Sequence, residues 1–279
     1  MICQWQELIG ILPVWLRGEV DKLKETGINE IRLRLHSPPE IISQKGAVVL
    51  QRSITVEDLN FCLNSATKYS PWTSSTVTEG FITAPGGHRI GLCGECVWAG
   101  GQLKNISFLT SVCIRVSKDF PGLADKLTNP TDSVLIIGKP GSGKTTLLRD
   151  LIRRLSAQES VTVIDERREL FPVLNGQFAF DRGPHMDVLS GCKKSAGLDM
   201  AIRTMSPDTV AVDEITAEDD CRALENAAWC GVRILATAHA GSRSDLYSRK
   251  IYQSLLYNKI FQTLIVFQKD KSWKQEVLI

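Results

Sequence analysis

A glycine-rich segment between Val134 and Asp150 carries residue types that bind phosphate groups. Its sequence, VLIIGKPGSGKTTLLRD, contains the pattern G-x-x-x-x-G-K-[ST], in which backbone N–H groups of the loop surround phosphate oxygens. Lys144 is expected to reach the β- and γ-phosphates, and the Thr145 hydroxyl is expected to bind Mg²⁺. The residues predicted to bind ATP are Gly138, Lys139, Pro140, Gly141, Ser142, Gly143, Lys144, Thr145 and Thr146.

The elements around this loop are those that phosphate binding needs. The apolar run Val134 to Ile137 predicts a buried strand, and Lys144 to Leu155 predicts a helix. The N-terminus of such a helix presents unpaired N–H groups and a positive dipole end to an anion. An ordinary Gly-rich turn is the alternative, and the strand and helix on either side count against it.

Two acidic residues, Asp213 and Glu214, close the apolar run TVAVDE. In open α/β sheets ligands bind at the carboxyl ends of strands, so this pair is expected beside the phosphate loop. Asp213 is predicted to hold Mg²⁺, and Glu214 is predicted to orient or deprotonate the attacking water. The alternative is that the two acids only begin the helix predicted from Ala217.

A second acidic strand end, VTVIDERREL, supplies Asp165 and Glu166. A carboxylate there could position water or bind Mg²⁺. Glu166 is therefore predicted to assist catalysis. The alternative is an ion pair between these acids and Arg167 or Arg168.

His239 and Arg203 complete the set of predicted catalytic residues. His239 follows the strand sequence RILATA, where it could hydrogen-bond the γ-phosphate or Glu214. Arg203 lies on the segment that leads into the Asp213 strand and could pair with a phosphate or an acid across a subunit boundary. A structural histidine and a structural salt bridge are the alternatives.

The pattern of the chain changes near residue 131. Before it, short strands and helices predict a smaller α+β domain over residues 1–122, followed by a linker over 123–130. After it, strands alternate with helices, which predicts a mostly parallel sheet over 131–279. The predicted strands of this second domain are Val134–Ile137, Val161–Asp165, Thr209–Asp213, Arg233–Thr237, Leu264–Gln268 and Glu276–Ile279. Its predicted helices are Lys144–Leu155, Leu198–Met205, Ala217–Cys230 and Ser244–Leu256.

Composition excludes several classes of protein. The net charge of +2 gives no general attraction to nucleic acid or lipid, and no apolar run approaches the ~20 residues that span a bilayer. Any membrane contact is therefore expected to be peripheral. Eight cysteines without a secretory signal ahead of them favour a reduced cytosol. Cys93 and Cys96 have C-x-x-C spacing and His88 could add a ligand, but no second pair exists and zinc or redox chemistry is disfavoured.

The motifs, taken in order, resemble those of the secretion-ATPase superfamily of RecA-like motors, which includes type II and type IV pilus ATPases. GKPGSGKTT matches the phosphate loop, VIDERREL the acidic box, AIRTMSPDTVAVDEI the arginine and the acidic strand, and LATAHA the histidine box. Segments such as EIRLRLHSPPE and FITAPGGHRIGLCGE more specifically resemble the stage III sporulation protein AA family of endospore-forming Firmicutes. This resemblance covers the chain from about Glu30 to Gln268.

This resemblance implies a RecA-like P-loop ATPase domain preceded by a PAS-like α+β domain. It also implies a cytoplasmic, mother-cell ATPase that forms a homo-oligomeric ring, expected to be a hexamer, beside a membrane-embedded channel protein. Arg89 and Arg115 would contact a neighbouring subunit's nucleotide, unless they are structural strand arginines. One departure concerns the metal: pilus motors commonly carry Gly-Glu where this chain has Asp213 and Glu214.

Two other functions stay open at this point. The chain could be a scaffold that binds ATP to assemble and turns over too slowly to do work. It could also be a DNA-stimulated RecA-type ATPase, which would show steeply salt-dependent DNA binding. The near-balanced charge argues against the second, and no nucleic-acid partner is expected.

Overall fold

The computed structural model describes residues 2–68, 80–128, 132–174 and 176–278. Its contacts divide the chain into two compact units, Met1–Asp119 with Leu174–Phe180, and Phe120–Val173 with Asp181–Ile279. The first is α+β with an antiparallel sheet and the second is α/β with a mostly parallel sheet, which confirms the predicted fold class. The boundaries 1–122, 123–130 and 131–279 stay a prediction. Residues 129–131 and Ile279, on which parts of those assignments fall, lie outside the described residues.

In the first unit, a six-stranded antiparallel sheet packs against helices. The helices are α1 (Trp5–Gly10), α2 (Val14–Asp21) and α3 (Val56–Thr67), and the strands are β1 (Ile28–Arg34), β2 (Glu40–Ser43), β3 (Gly46–Val49), β4 (Phe81–Thr83), β5 (Arg89–Ala99) and β6 (Gln102–Arg115). The described strands have the order β3-β2-β1-β6-β5-β4. Alternation along β1 places Ile31 and Leu33 in the core and leaves Arg32 on the opposite face.

Strands β5 and β6 are longer than the sequence predicts. The sequence indicates short strands separated by glycine turns, but β5 and β6 pair along almost their whole lengths. Gly94, expected at a turn, lies instead at a β-bulge within β5. A Cβ on Gly94 would lie 1.9 Å from the carbonyl oxygen of Phe108, so only glycine permits this close backbone approach.

In the second unit, a seven-stranded sheet carries helices between its strands. The strands are β7 (Val134–Ile137), β8 (Val161–Asp165), β11 (Met186–Ser190), β12 (Thr209–Val212), β13 (Arg233–Ala238), β14 (Thr263–Phe267) and β15 (Trp273–Val277). Two short strands, β9 (Val173–Leu174) at the sequence boundary of this unit and β10 (Gln177–Phe178) in the first unit, belong to neither large sheet. The described strands have the order β11-β8-β12-β13-β7-β14-β15, parallel except for β15. The helices are α4 (Lys144–Leu155), α5 (Lys194–Thr204), α6 (Glu218–Trp229), α7 (Arg243–Ser248) and α8 (Gln253–Tyr257).

Several features of this unit differ from the prediction, among them α5, which begins at Lys194 rather than at Leu198. Strand β11 was not predicted, and it forms the edge of the sheet beside β8. The final strand is antiparallel and begins at Trp273 rather than at Glu276. The helix predicted from Ser244 to Leu256 is broken at Arg249, which is extended. The break accompanies burial of Tyr252, whose hydroxyl donates to the carbonyl oxygen of Ile215.

The segment just before β7 packs on α4. The N–H groups of Gly122 and Ala124 donate to the carboxylate of Asp150, at 3.2 and 2.7 Å. Arg154 donates to the carbonyl oxygens of Ala124 and Leu127. These contacts anchor the chain directly ahead of the strand that leads into the phosphate loop.

Candidate functional site

The phosphate loop runs from the end of β7 to the start of α4. Gly141 and Gly143 have φ angles of +73° and +112°, which side chains other than that of glycine rarely permit. A Cβ on Gly138 would lie 2.6 Å from the hydroxyl of Ser142, so the loop closes tightly on itself. The Ser142 hydroxyl oxygen is buried and has no partner among the described residues. The loop thus has the glycines and the free polar group of an anion cradle.

Lys144 lies at the centre of the site and is buried. Its ammonium donates to the carbonyl oxygens of Gly138 and Lys139, at 2.9 and 3.1 Å, and lies 3.3 Å from Nδ1 of His239. Burial lowers the pKa of Lys144, while the nearby carboxylates of Asp213 and Glu214 act in the opposite direction. A phosphate oxygen that binds Lys144 would therefore replace one of three existing partners.

Asp213 is held by two threonine hydroxyls. Thr145 donates to Oδ2 at 2.8 Å, and Thr237 of β13 donates to Oδ1 at 2.6 Å. The Thr237 oxygen also accepts the backbone N–H of Glu214, at 2.8 Å. One buried hydroxyl therefore positions both acidic residues at the end of β12.

Glu214 has a left-handed backbone conformation, with a φ of +54°. Such angles are uncommon outside glycine and often occur at functional sites. Oε1 of Glu214 lies 2.8 Å from Nε2 of His239, and Oε2 accepts a hydrogen bond of 2.5 Å from Arg167. Both oxygens of the predicted water-activating carboxylate thus have partners.

The resulting network follows the order of the strands. Arg167, Glu214, His239 and Lys144 follow β8, β12, β13 and β7, which are consecutive neighbours in the sheet. Because the ammonium of Lys144 can only donate, Nδ1 of His239 accepts and Nε2 carries the proton that it donates to Glu214. A continuous chain of polar contacts therefore crosses the carboxyl edge of the sheet.

The loop that carries Glu166 and Arg167 is fixed by two buried charged groups. The carboxylate of Asp165 accepts the N–H groups of Glu169, Leu170 and Phe171, at 2.8 to 3.2 Å. Arg149 of α4 donates to the carbonyl oxygens of Glu169 and Leu170, at 2.7 and 2.6 Å. Burial raises the pKa of Asp165 to about 6, against the effect of the donated N–H bonds. Asp165 thus closes the loop on itself through these backbone contacts.

Glu166 pairs with Lys194 at the start of α5, not with Arg167 or Arg168 as the alternative interpretation held. Lys194 is buried and also lies 3.8 Å from Asp220 of α6. Asp220 in turn accepts the N–H groups of residues 216 and 217. The structure thus links the acidic loop to the segment that follows Glu214.

Arg203 is not brought to this edge of the sheet. It lies nine residues after Lys194 on α5, which is roughly 13 Å along the helix axis, and its side chain is exposed. Arg89 and Arg115 belong to the first unit, where they lie opposite each other on β5 and β6. Arg89 stacks on the ring of Phe81 at 3.8 Å.

Three contributors were missed by reasoning from the sequence: Thr237, Arg149 and Lys194. Thr237 is a polar residue within the buried run RILATA, and Arg149 is a charged residue within the buried segment LLRDLI of helix α4. Both patterns are signals that a buried polar group has a specific partner. Lys194 gave no comparable signal, because basic residues at the surface end of a helix are common.

Thr145 and Asp213 supply the ligand types that Mg²⁺ prefers, a hydroxyl and a carboxylate. No cluster of three or more His, Cys, Asp or Glu residues suited to a metal occurs within the described residues. A magnesium site that takes most of its remaining ligands from phosphate and water fits this donor set.

His88, considered above as a metal ligand beside Cys93 and Cys96, has other partners. Its Nδ1 accepts the N–H of Ser117, and its Nε2 lies 3.2 Å from the carbonyl oxygen of Gln4.

Comparison with known proteins gives consistent matches. The chain matches the family described as "Sporulation stage III, protein AA" over residues 5–277. It is 34% identical over 280 residues to Stage III sporulation protein AA of Bacillus subtilis (strain 168), which covers 95% of this chain and 91% of that protein. Uncharacterized protein ycf45 of Porphyra purpurea is 24% identical over 269 residues, covering 93% of this chain and 45% of that protein.

Two solved structures share the fold. The ATPase DotB of Legionella pneumophila superimposes with a TM-score of 0.60 and 16% identity, covering 95% of this chain and 79% of that chain. The pilus retraction motor PilT with bound ADP superimposes with a TM-score of 0.64 and 16% identity, covering 95% and 83%. The chain therefore has the fold of secretion ATPases. None of the helices in the described parts of the chain could span a membrane.

Proposed function

Since this chain belongs to the Sporulation stage III, protein AA family, we propose that it is a Mg²⁺-dependent ATPase that hydrolyses ATP between the subunits of a ring. One observation carries the proposal. The phosphate-loop residue Lys144 is joined through His239 to Glu214, the carboxylate predicted to activate water. This arrangement supports joint action of Lys144 on phosphate and of Glu214 as a base along one edge of the sheet.

The loop and the start of α4 bind the triphosphate. Backbone N–H groups at the start of α4 would face its oxygens, and Lys144 would exchange one of its carbonyl partners for a phosphate oxygen. Thr145 and Asp213 would hold Mg²⁺, which would supply positive charge to stabilise the phosphates. Thr237 keeps the Asp213 carboxylate oriented toward Thr145.

Glu214 accepts a proton from the attacking water. His239 orients the carboxylate by donating from Nε2, and the αL backbone of Glu214 is fixed by the hydroxyl of Thr237. Glu166 assists from the neighbouring loop, where Lys194 holds it. Arg203, exposed and away from its own chain's site, contacts the nucleotide or an acid of an adjacent subunit.

Assembly and location are part of the same proposal, which the family and the shared fold support. The chain forms a homo-oligomer, a hexameric ring, in the cytoplasm of the mother cell, peripheral to the membrane. Its partner is a membrane-embedded channel protein of the sporulation complex, and the ring powers or assembles the channel between mother cell and forespore. Arg89 and Arg115 of the first unit contact a neighbouring subunit's nucleotide. DotB and PilT, an ATPase and a pilus retraction motor, support a motor with this fold.

The test compares two lysines of the second unit. Lys144→Ala removes the buried ammonium, whereas Lys126→Ala removes an exposed side chain outside the phosphate loop. ATP binding, measured with a fluorescent analogue, and phosphate release should both be lost in Lys144→Ala and kept in Lys126→Ala. Equal ATPase rates in the two variants and the wild type would refute the proposal. Binding without turnover in the wild type would favour an ATP-dependent assembly scaffold instead.

A further inference from the structure

Arg167 makes the contact that the proposed reaction does not use. Its guanidinium donates to Oε2 of Glu214 at 2.5 Å, from the loop after β8. A carboxylate acts as a base only through an oxygen that is free to approach the water. The lone pair that faces Arg167 is therefore withheld from the reaction while the pair is closed.

Both residues of this ion pair have a fixed backbone, but the Arg167 side chain is the more exposed of the two. Asp165 and Arg149 fix the backbone of the loop that carries Arg167, and Thr237 fixes the backbone of Glu214. The Arg167 side chain itself is half exposed, at 51%, whereas that of Glu214 is 22% exposed. The pair can thus open by rotation of the arginine alone, without unpacking the core.

We propose that Arg167 is a positioning residue that restrains Glu214, so that the ion pair must open before the carboxylate activates water. This inference rests on the proposed ATPase function and adds a restraint that slows hydrolysis. His239 holds Oε1 from the other side and remains in contact when Arg167 leaves. Opening of the pair thus frees one oxygen while the other stays oriented.

The expected effect is modest because the pair is partly exposed. Exposed ion pairs bias an equilibrium by a small factor, so loss of the restraint should raise kcat about two- to sixfold. KM for ATP should change by less than about twofold, since Arg167 hydrogen-bonds to Glu214 and, within the described residues, to none of the proposed phosphate-binding loop residues. A residue needed only for folding would lower kcat when removed, not raise it.

The experiment measures steady-state ATP hydrolysis of the full chain for the wild type, Arg167→Ala, Arg167→Lys and Arg168→Ala. Arg168 is the matched control, because it is the next residue on the same loop and its guanidinium lies near Gly191. Arg167→Ala should show the higher kcat, Arg167→Lys an intermediate value and Arg168→Ala the wild-type value. The double variant Arg167→Ala, Glu214→Gln should hydrolyse ATP as slowly as Glu214→Gln alone, since the gain acts through Glu214.

The outcomes separate this inference from the proposed function. If the wild type hydrolyses ATP and Arg167→Ala is equal or slower, the restraint is refuted while the ATPase function stands. If neither hydrolyses ATP, both are refuted. Turnover in Arg167→Ala with little turnover in the wild type would be the strongest support.

Discussion

Nε2 of His239 donates to Oε1 of Glu214 across a distance of 2.8 Å. The other nitrogen of the same ring faces Lys144, so the imidazole has a single productive tautomer. We predict that His239→Ala lowers kcat for ATP about 10- to 100-fold, as loss of an orienting partner commonly does, with a smaller change in KM. His185→Ala, an exposed histidine, is the control. Equal kcat values in the two variants would remove the orienting role from His239.

Thr237 and Thr162 offer a matched pair of buried threonines in neighbouring parts of one sheet. The hydroxyl of Thr237 joins Asp213 to the N–H of Glu214, whereas the hydroxyl of Thr162 has no partner among the described residues. Thr237→Val should therefore destabilise the chain by about 1–3 kcal/mol and weaken Mg²⁺-dependent turnover. Thr162→Val should be neutral or slightly stabilising, because no hydrogen bond is lost.

Urea unfolding and a Mg²⁺ titration of ATPase rate measure these two effects. If Thr162→Val matched Thr237→Val in both measurements, the loss of stability and turnover would come from altered packing. It would then not come from the hydrogen bonds of the Thr237 hydroxyl to Asp213 and Glu214. If Thr237→Val unfolded like the wild type, the hydrogen bonds to Asp213 and Glu214 would carry little free energy.

His88 predicts a pH dependence of stability. Its ring is fully buried, and burial lowers its pKa to about 4 from 6.5. Between these values the unfolded chain binds a proton that the folded chain does not, so the stabilisation is complete above pH 6.5 and is lost as pH falls to 4. The loss should be about 3 kcal/mol. Urea unfolding at pH 7 and pH 4.5 should show a smaller pH effect in His88→Gln than in the wild type; identical effects would contradict the assignment.

Nucleotide-dependent assembly is predicted from the ring proposal. Molar mass measured by light scattering should rise to that of a ring when a non-hydrolysable ATP analogue and Mg²⁺ are added. Lys144→Ala should not respond to the analogue, because it cannot bind the phosphates. A monomeric mass for the wild type under every condition would contradict catalysis between subunits.

Local patterns predicted the phosphate-binding part of the site. The strand Val134–Ile137 and the helix Lys144–Leu155 have the predicted bounds, because an apolar run, a glycine loop and a helical period each occur within a few residues. A capping box at Thr55 and Asp58 likewise begins α3, and its sequence signal spans only four residues.

The partners of the acidic residues could not be predicted in the same way. Arg167 and Glu214 are 47 positions apart, and they meet because β8 lies beside β12 in the sheet. Strand order depends on packing of the whole unit, so no short segment of the sequence predicts it. Lys194 meets Glu166 for the same reason, through the packing of α5 near β8. The break at Arg249 likewise lacks a local signal such as proline or glycine.

The central claim is that Glu214 activates water beside a phosphate held by Lys144. The direct test is the ATP hydrolysis rate of purified Glu214→Gln protein under conditions that favour assembly, with Glu218→Gln, an exposed glutamate on α6, as the control. We predict that Glu214→Gln binds MgATP as the wild type does. Its rate of ATP hydrolysis should be lower than that of the wild type by a factor of about 100 or more. A Glu214→Gln rate equal to that of the wild type and of Glu218→Gln would contradict the account.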